Sequence, residues 1–259
     1  MLELSIPELV EWMNRFMWPL FRIASFFMAV PMIGTQLVPA RVRLSLALVV
    51  TILIAPLLPP MPVYEGLSAE VFMIVVQQLL IGTVLGFMVQ ILFHIFVVAA
   101  QLISSQMGLG FASISDPANG VSVVVLAQLY TMLGMMLFLA MDGHLVLIDV
   151  IVGSFHILPV GEMLPVEVLW QVAMAASWMF AGALLLALPA VIALLIVNFA
   201  FGIMTKAAPQ LNIFAIGFPF TMLFGLFITW VSLAGFLGQY RQLSEQVLGY
   251  VSRLLIGGS

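Results

Sequence analysis

The sequence predicts an all-α, polytopic membrane protein, and three observations support this fold class. Of the 259 residues, 64% are hydrophobic and 7% are charged, whereas a soluble domain carries roughly 25% charged residues. The mean hydropathy is +1.26. Apolar runs long enough to cross a bilayer recur between short segments rich in proline, glycine and polar residues. We therefore expect a single membrane domain, residues 1–259, with about six to eight apolar helices.

The composition also excludes several functions. The formal net charge is −4 and no basic block occurs, which argues against nucleic acid as a partner. The chain has no cysteine, so disulfides, thiolate catalysis and cysteine metal sites are excluded. Glu3, Glu8 and Glu11 stand where a cleaved secretory signal carries positive charge, so we expect the first apolar segment to be retained.

The first apolar segment, about Trp12 to Ile33, is predicted to span the membrane although it contains Arg15 and Arg22. An arginine at the centre of a span costs about 2.5–3.5 kcal/mol. Arg15 is close enough to the helix end to snorkel, whereas Arg22 is deeper and needs a partner or a watery cavity. Two interpretations stay open: a structural pair inside the chain, or a contact with a neighbouring subunit.

The second helix is predicted to begin near Pro39 and to run to about Leu58, where a proline-rich turn follows. Arg41 and Arg43 lie at its start, where the helix dipole disfavours cations. They are therefore expected to bind phosphate headgroups or an acidic partner, or to lie on the cytoplasmic side as the positive-inside rule predicts. We regard both as candidate assembly contacts.

Two apolar runs are too long for one crossing. As a single helix, Ala69–Ser105 would reach about 55 Å, against a hydrocarbon core of about 30 Å. It is expected either to fold as a hairpin near Gly82–Gly86 or to project beyond the bilayer inside a protein assembly. Gly82 and Gly86 are spaced for close helix contact. Val166–Thr205 poses the same problem, and Pro189 predicts a kink or break there.

A polar corner follows the second long run, and the next predicted span, Asn212–Tyr240, is interrupted by Pro219. Lys206 is placed to complement a helix C-terminus. The candidate assembly contacts in this corner are Lys206, Pro209, Gln210 and Asn212.

Reactive groups are few. Val121–Met141 is predicted to be one span that ends at Asp142. Four titratable residues are close together in the sequence at this point: Asp142, His144, Asp149 and His156. They suggest either a proton relay or an ordinary helix cap with interfacial histidines; Asp142 and His144 would not share a helix face. No nucleophile-elbow, zinc-protease, P-loop or dinucleotide motif occurs. We therefore expect no enzyme activity, no cofactor and no metal.

The chain between Gln101 and Gly120 interrupts the apolar pattern with small and polar residues and carries one charge, Asp116. Bulky residues alternate with glycine from Met107 to Phe111, a period of two that suits an extended segment. Asp116 before proline and the Asn-Gly pair at 119–120 predict a loop. This loop is either an ordinary connector between membrane helices or a movable obstruction in a passage.

Several sequence blocks together resemble the FliR family of flagellar biosynthetic proteins, subunits of the type III secretion export gate. They occur in the family's order over about four fifths of the chain, and the ordered set is more specific than any single block. The blocks are Gln36-Leu37-x-Pro39-x-x-Arg43, residues 106–113 with Asp116-Pro117, Phe138–His144, Ala187-Leu188-Pro189, and Ala207–Phe214 followed by Gly217-Phe218-Pro219.

The resemblance implies a non-enzymatic core subunit that assembles with FliP, FliQ and the N-terminal part of FlhB into a closed channel for unfolded flagellar proteins. The FlhA export component is a further expected partner. In that family, bent helical hairpins stack in a hetero-oligomeric helical assembly, and much of it is lifted above the membrane plane. The implied location is the flagellar basal body in the bacterial inner membrane. Membrane lipid is the remaining expected partner, and nucleic acid is not expected.

The resemblance also places the family's plug loop at Gly108–Gly120. Apolar side chains on a loop jointed by glycines can dewet a constriction and still move aside. The predicted plug and gate residues are Met107, Gly108, Leu109, Gly110, Phe111, Ala112, Ser113, Ile114, Asp116, Pro117, Asn119 and Gly120. Among these, the expected obstructing side chains are Met107, Leu109, Phe111 and Ile114.

One alternative belongs to another functional class. A secondary transporter would build a midplane site from helices broken at Pro189 and Pro219, with Asp142 or His144 carrying protons.

Overall fold

The computed structural model describes residues 6–34, 38–64, 68–109, 125–208 and 213–256, without the side chains of residues 6–9, 213–215 and 252–256. Every secondary-structure element in these ranges is helical, so the all-α prediction is confirmed. The α-helices are α1 (Ile6–Ala29), α2 (Ala40–Ile54), α3 (Ala69–Gln106), α4 (Val125–Ala140), α5 (Gly143–Ile157), α6 (Val166–Ala207) and α7 (Ile213–Ile256), and a short 3-10 turn, Ala55–Leu57, extends α2.

Within the described residues, four helices are long and apolar enough to cross a membrane: α2 with its 3-10 turn, α3, α6 and α7. The number rises to five if α4 and α5 are counted as one broken span. The prediction of a polytopic membrane protein is therefore confirmed. The predicted span over Trp12–Ile33 is helical as far as Ala29, where α1 ends. α1 is not among these candidate spans because Glu11, Asn14 and its arginines make it less apolar.

The three longest helices are continuous. α3 has 38 residues, α6 has 42 and α7 has 44. The hairpin alternative near Gly82–Gly86 is therefore wrong. Breaks at Pro189 and Pro219 are also wrong, because both prolines lie inside helices, whereas the kink that was the alternative at Pro189 stays a prediction. A membrane helix tolerates proline where neighbouring groups satisfy the freed carbonyl. The transporter alternative thus lacks its broken helices.

Gly82 and Gly86 make a notch for α1 and do not form a turn. A Cβ atom at Gly82 would contact the backbone oxygen of Arg22 and the hydroxyl of Ser25, and one at Gly86 would lie 2.8 Å from the backbone oxygen of Phe26. Only glycine therefore allows this approach of α1 and α3. The predicted close helix contact at these two glycines is confirmed.

The chain forms two compact units. The first contains residues 1–91, 141–175 and 246–259, and the second contains residues 92–140 and 176–245. The first unit has a core that includes the fully buried Ile23, Phe26 and Phe155. The second unit has an aromatic core in which the ring of Phe96 lies 5.0 Å from that of Phe236 and 5.7 Å from that of Tyr240.

Candidate functional site

In the second unit, α3 ends in a turn built around Gly108, whose φ of 79° lies in the left-handed region. The Leu109 N–H donates to the Ser104 carbonyl at 3.1 Å, and the Gly108 N–H donates to the Ser105 carbonyl at 3.2 Å. These two bonds and the glycine form a Schellman motif. The predicted extended segment is therefore wrong for Met107–Leu109, because the positive φ of Gly108 closes the helix before the alternation can form a strand.

Met107 holds this helix end against α7. Its side chain is fully buried. A Cβ atom at Gly225 would contact the Met107 Cγ and would lie 2.8 Å from its Sδ and 2.9 Å from its Cε. The methionine therefore occupies a notch that exists because residue 225 has no side chain.

Asn198 of α6 completes the capping of α3. The last four carbonyls of a helix have no partner within the helix. Here the Ile103 carbonyl accepts from the Met107 N–H at 3.0 Å, the Schellman bonds satisfy the next two, and the Gln106 carbonyl accepts from the Asn198 Nδ2 at 3.0 Å. All four terminal carbonyls of α3 are thus paired with donors of the chain itself.

Arg22 forms a second polar centre, in the first unit. It is fully buried. Its Nε donates to the Gln78 Oε1 at 2.8 Å, its Nη1 to the backbone oxygen of Ser154 at 2.9 Å and to the Ser154 Oγ at 3.2 Å, and its Nη2 to the Leu158 oxygen at 2.9 Å. The guanidinium carbon lies 4.0 Å from the centre of the Phe155 ring. The partner of Arg22 is therefore inside its own chain.

None of these hydrogen-bond acceptors is a carboxylate. α5 ends at Ile157, so the Ser154 and Leu158 carbonyls belong to its C-terminal end, where the helix dipole is negative. The positive charge of Arg22 therefore offsets the negative end of the α5 dipole. Arg22 lies outside the candidate membrane spans. Burial lowers its pKa from 12.5 to about 9, so the guanidinium is still charged at pH 7.

Comparison with known proteins decides the family. The model of the family described as "Bacterial export proteins, family 1" matches residues 13–247. The chain belongs to this family. It is 41% identical over 229 residues to the flagellar biosynthetic protein FliR of Escherichia coli K12, covering 87% of each chain, and 36% identical over 230 residues to FliR of Pectobacterium carotovorum, again covering 87% of each. It is 31% identical over 234 residues to FliR of Caulobacter vibrioides, covering 86% of this chain and 92% of the relative.

Membership in the FliR family makes this protein a membrane component of bacterial flagellar export. The resemblance found in the sequence is thereby confirmed. The family consists of export components, and the expectation that this member has no enzyme activity stays a prediction.

The structure describes only the start of the plug predicted for this FliR-family chain. Met107 is buried, whereas Gly108 and Leu109 are half-buried. The remaining predicted plug residues lie outside the described residues: Gly110, Phe111, Ala112, Ser113, Ile114, Asp116, Pro117, Asn119 and Gly120. In the isolated chain, the Met107 side chain fills the notch at Gly225 and is buried there, so it is not in a position to obstruct a passage.

The predicted assembly contacts are only partly described. Arg41 is exposed at the start of α2, and Arg43 is half-buried and donates from its Nε to the Val38 oxygen at 3.1 Å. Lys206 is exposed in the last turn of α6, where its charge complements the helix dipole as expected. The residues Pro209, Gln210 and Asn212 lie outside the described ranges.

The four residues considered for a proton relay are not buried in the chain. Asp142 begins α5 with a left-handed φ of 57° and makes no side-chain capping bond; its carbonyl accepts from the Leu145 N–H at 2.9 Å. The Nδ1 of His156 lies 3.2 Å from the Val152 oxygen on its own helix. In the described part of the chain, no three histidine or acidic side chains form a group that could hold a metal ion.

Sequence reasoning missed Asn198 and Gly225. One signal for Asn198 was available, because an amide inside the most apolar long run of the chain needs a partner. Gly225 carried no comparable signal among the glycines of α7.

Proposed function

We propose that this FliR-family protein is a core subunit of the flagellar type III secretion export gate in the bacterial inner membrane. With FliP and FliQ it forms a closed channel for unfolded flagellar proteins, and FlhB and FlhA are further partners. Residues 108–120 act as its plug. The observation that carries this proposal is the amount of apolar helix surface that the chain itself leaves uncovered.

The lengths of α6 and α7 support assembly with other proteins. At 1.5 Å per residue they measure about 63 Å and 66 Å, roughly twice the hydrocarbon core of a bilayer. Only 22% of the most apolar stretch of each helix is buried within the chain. Large side chains point outward along both, including Leu185 at 70% exposure, Phe199 at 72% and Trp230 at 69%. Lipid can cover about 30 Å of such a surface, so partner proteins are needed for the rest.

The composition of the loop supports a sealing role. A resting export channel must exclude ions and protons while remaining able to pass a polypeptide. Leu109, Phe111 and Ile114 are apolar enough to dewet a constriction, and Gly108, Gly110 and Gly120 supply joints that a moving loop needs.

Purification tests the assembly. The chain is co-expressed with untagged FliP and FliQ or by itself, and each preparation is analysed by size-exclusion chromatography in detergent. We expect a stable complex in the first case and an aggregating chain in the second, because the apolar surfaces of α6 and α7 then have no protein partner. A well-behaved lone chain that binds a small solute would instead favour the transporter alternative.

Conductance tests the plug. We expect replacement of Gly110–Phe111 by a Gly-Ser linker to raise small-ion leakage while the complex stays assembled, because the apolar seal is lost. The control carries the same linker at the exposed Glu162–Met163, between α5 and α6. Equal leakage from both variants, or from neither, contradicts the plug.

A further inference from the structure

We infer that Asn198 and Gly225 are positioning residues that dock the C-terminal end of α3 and so fix where the chain leaves the helix at Leu109. The docking itself concerns described residues only. Its consequence for leakage rests on the proposed function, because it concerns the loop that follows.

Asn198 supplies a bond that no other described residue makes. Its Nδ2 donates to the Gln106 carbonyl from a position 92 residues away in the sequence. Asn198 is exposed on α6, and its amide is the one described side chain that donates to this carbonyl. An apolar residue at 198 would leave the last carbonyl of α3 without a donor, whereas the other three terminal carbonyls are satisfied by the turn itself.

Gly225 fixes the same helix end by shape. The Met107 side chain fills the space that a Cβ atom at 225 would need. By contrast, a Cβ atom at Gly235, on the same helix, meets nothing within 4 Å. The requirement for glycine at 225 therefore comes from the methionine and is not a general property of α7.

The two contacts act on adjacent residues of α3 from different helices. Asn198 on α6 holds Gln106, and Gly225 on α7 accommodates Met107. One contact is a directional hydrogen bond and the other is apolar packing, so each can be removed without the other. Loss of either should shift the position of Leu109, the last described residue before the loop.

The test uses the gate complex assembled with cysteine-free partner subunits. Because the chain itself has no cysteine, a Leu109→Cys variant carries one reporter that reacts with a membrane-impermeant maleimide. We expect Asn198→Leu and Gly225→Ala each to change its labelling rate about tenfold, the factor that corresponds to the net contribution of one hydrogen bond or a comparable packing defect. Both variants should also raise ion leakage.

Each variant has a matched control. Thr205→Val removes a hydroxyl on α6 that donates to the Phe201 oxygen of its own helix, and Gly235→Ala adds a methyl group to α7 where there is space. Neither should alter labelling. Met107→Ala combined with Gly225→Ala should return the labelling rate toward the reference, because the shortened side chain vacates the notch.

The outcomes separate this inference from the plug. Unchanged labelling in assembled Asn198→Leu and Gly225→Ala complexes overturns the docking, even if the linker at 110–111 leaks. Altered labelling without leakage from any variant, the linker included, supports the docking and contradicts the plug. If one of the two variants does not assemble, the other decides, since the two contacts are independent. Labelling changed equally by the control variants also counts against the inference.

Discussion

The two polar centres of this protein hold their helices in different ways. In the first unit, the buried Arg22 donates four hydrogen bonds to three residues and compensates the C-terminal end of α5. In the second unit, the end of α3 is attached by one side-chain hydrogen bond from Asn198 and by a methionine in a glycine notch. The hydrogen bonds of the first centre are directional and come from a charged group, so the helices that they join resist displacement. The second has one side-chain hydrogen bond and no charge, so it is the weaker of the two.

The largest effect is expected at the arginine. Arg22→Met leaves the Gln78 Oε1 and the Leu158 oxygen without a donor, each at a cost of about 1–3 kcal/mol, whereas the Ser154 oxygen keeps the Leu158 N–H. The free energy of unfolding should therefore fall by about 2–6 kcal/mol. The free energy of unfolding of Arg22→Lys should lie between those of the unchanged protein and Arg22→Met, because one ammonium group cannot reach all three acceptors. Denaturant titration of the complex in detergent measures both, with Arg15→Met, an exposed arginine on the same helix, as control. If the free energy of unfolding falls no more for Arg22→Met than for Arg15→Met, the contrast between the two centres is lost.

The next effect compares the two glycine notches. Gly82→Ala places a methyl group against the Arg22 backbone oxygen, which cannot move aside, so the free energy of unfolding should fall by about 1–3 kcal/mol. Gly225→Ala meets the Met107 side chain, which can adopt another rotamer. We therefore expect the smaller loss at Gly225 in the same titration. The reverse order would show that the α3 end is the more rigid of the two centres.

A smaller effect is expected at Ser154. Ser154→Ala removes the 3.2 Å hydrogen bond from Arg22 to the hydroxyl but keeps the one to the backbone oxygen, so about 0.5–1.5 kcal/mol should be lost. Thermal unfolding in detergent should show a shift well below that of Arg22→Met. If Ser154→Ala is as harmful as Arg22→Met, the helix-end carbonyls are not the main partners of the cation.

The sequence was sufficient for properties that depend on composition and local spacing. It predicted an all-α membrane protein and close contact at Gly82 and Gly86. For Arg22 it predicted a partner or a watery cavity, without deciding between a partner in the chain and one in a neighbouring subunit. It left undecided whether Ala69–Ser105 is a hairpin or one helix. The hydropathy pattern gives the length of the apolar run but not its path, and a glycine pair is compatible with a turn or with a helix contact. The structure decides for one helix, since both glycines face α1.

The candidate site was less accessible to sequence reasoning. Gly108 alternates with bulky residues and so matches an extended pattern, yet its left-handed φ ends α3. The link from Asn198 to Gln106 joins residues 92 positions apart and has no local signature. Position within an apolar run signals that an asparagine needs a partner, but only the fold identifies the partner.

The smallest effect has the opposite sign and tests whether the notches are specific. A Cβ atom added at Gly153 in the first unit or at Gly235 in the second would meet nothing within 4 Å, so alanine there should raise the free energy of unfolding by about 0.5–1 kcal/mol through its higher helix propensity. Denaturant titration of the complex measures this gain. If either variant instead releases partner subunits, that glycine lies at an interface with another protein. The loss at Gly82 and Gly225 would then reflect a general intolerance of added volume, and the contrast between the two centres would need to rest on their hydrogen bonds alone.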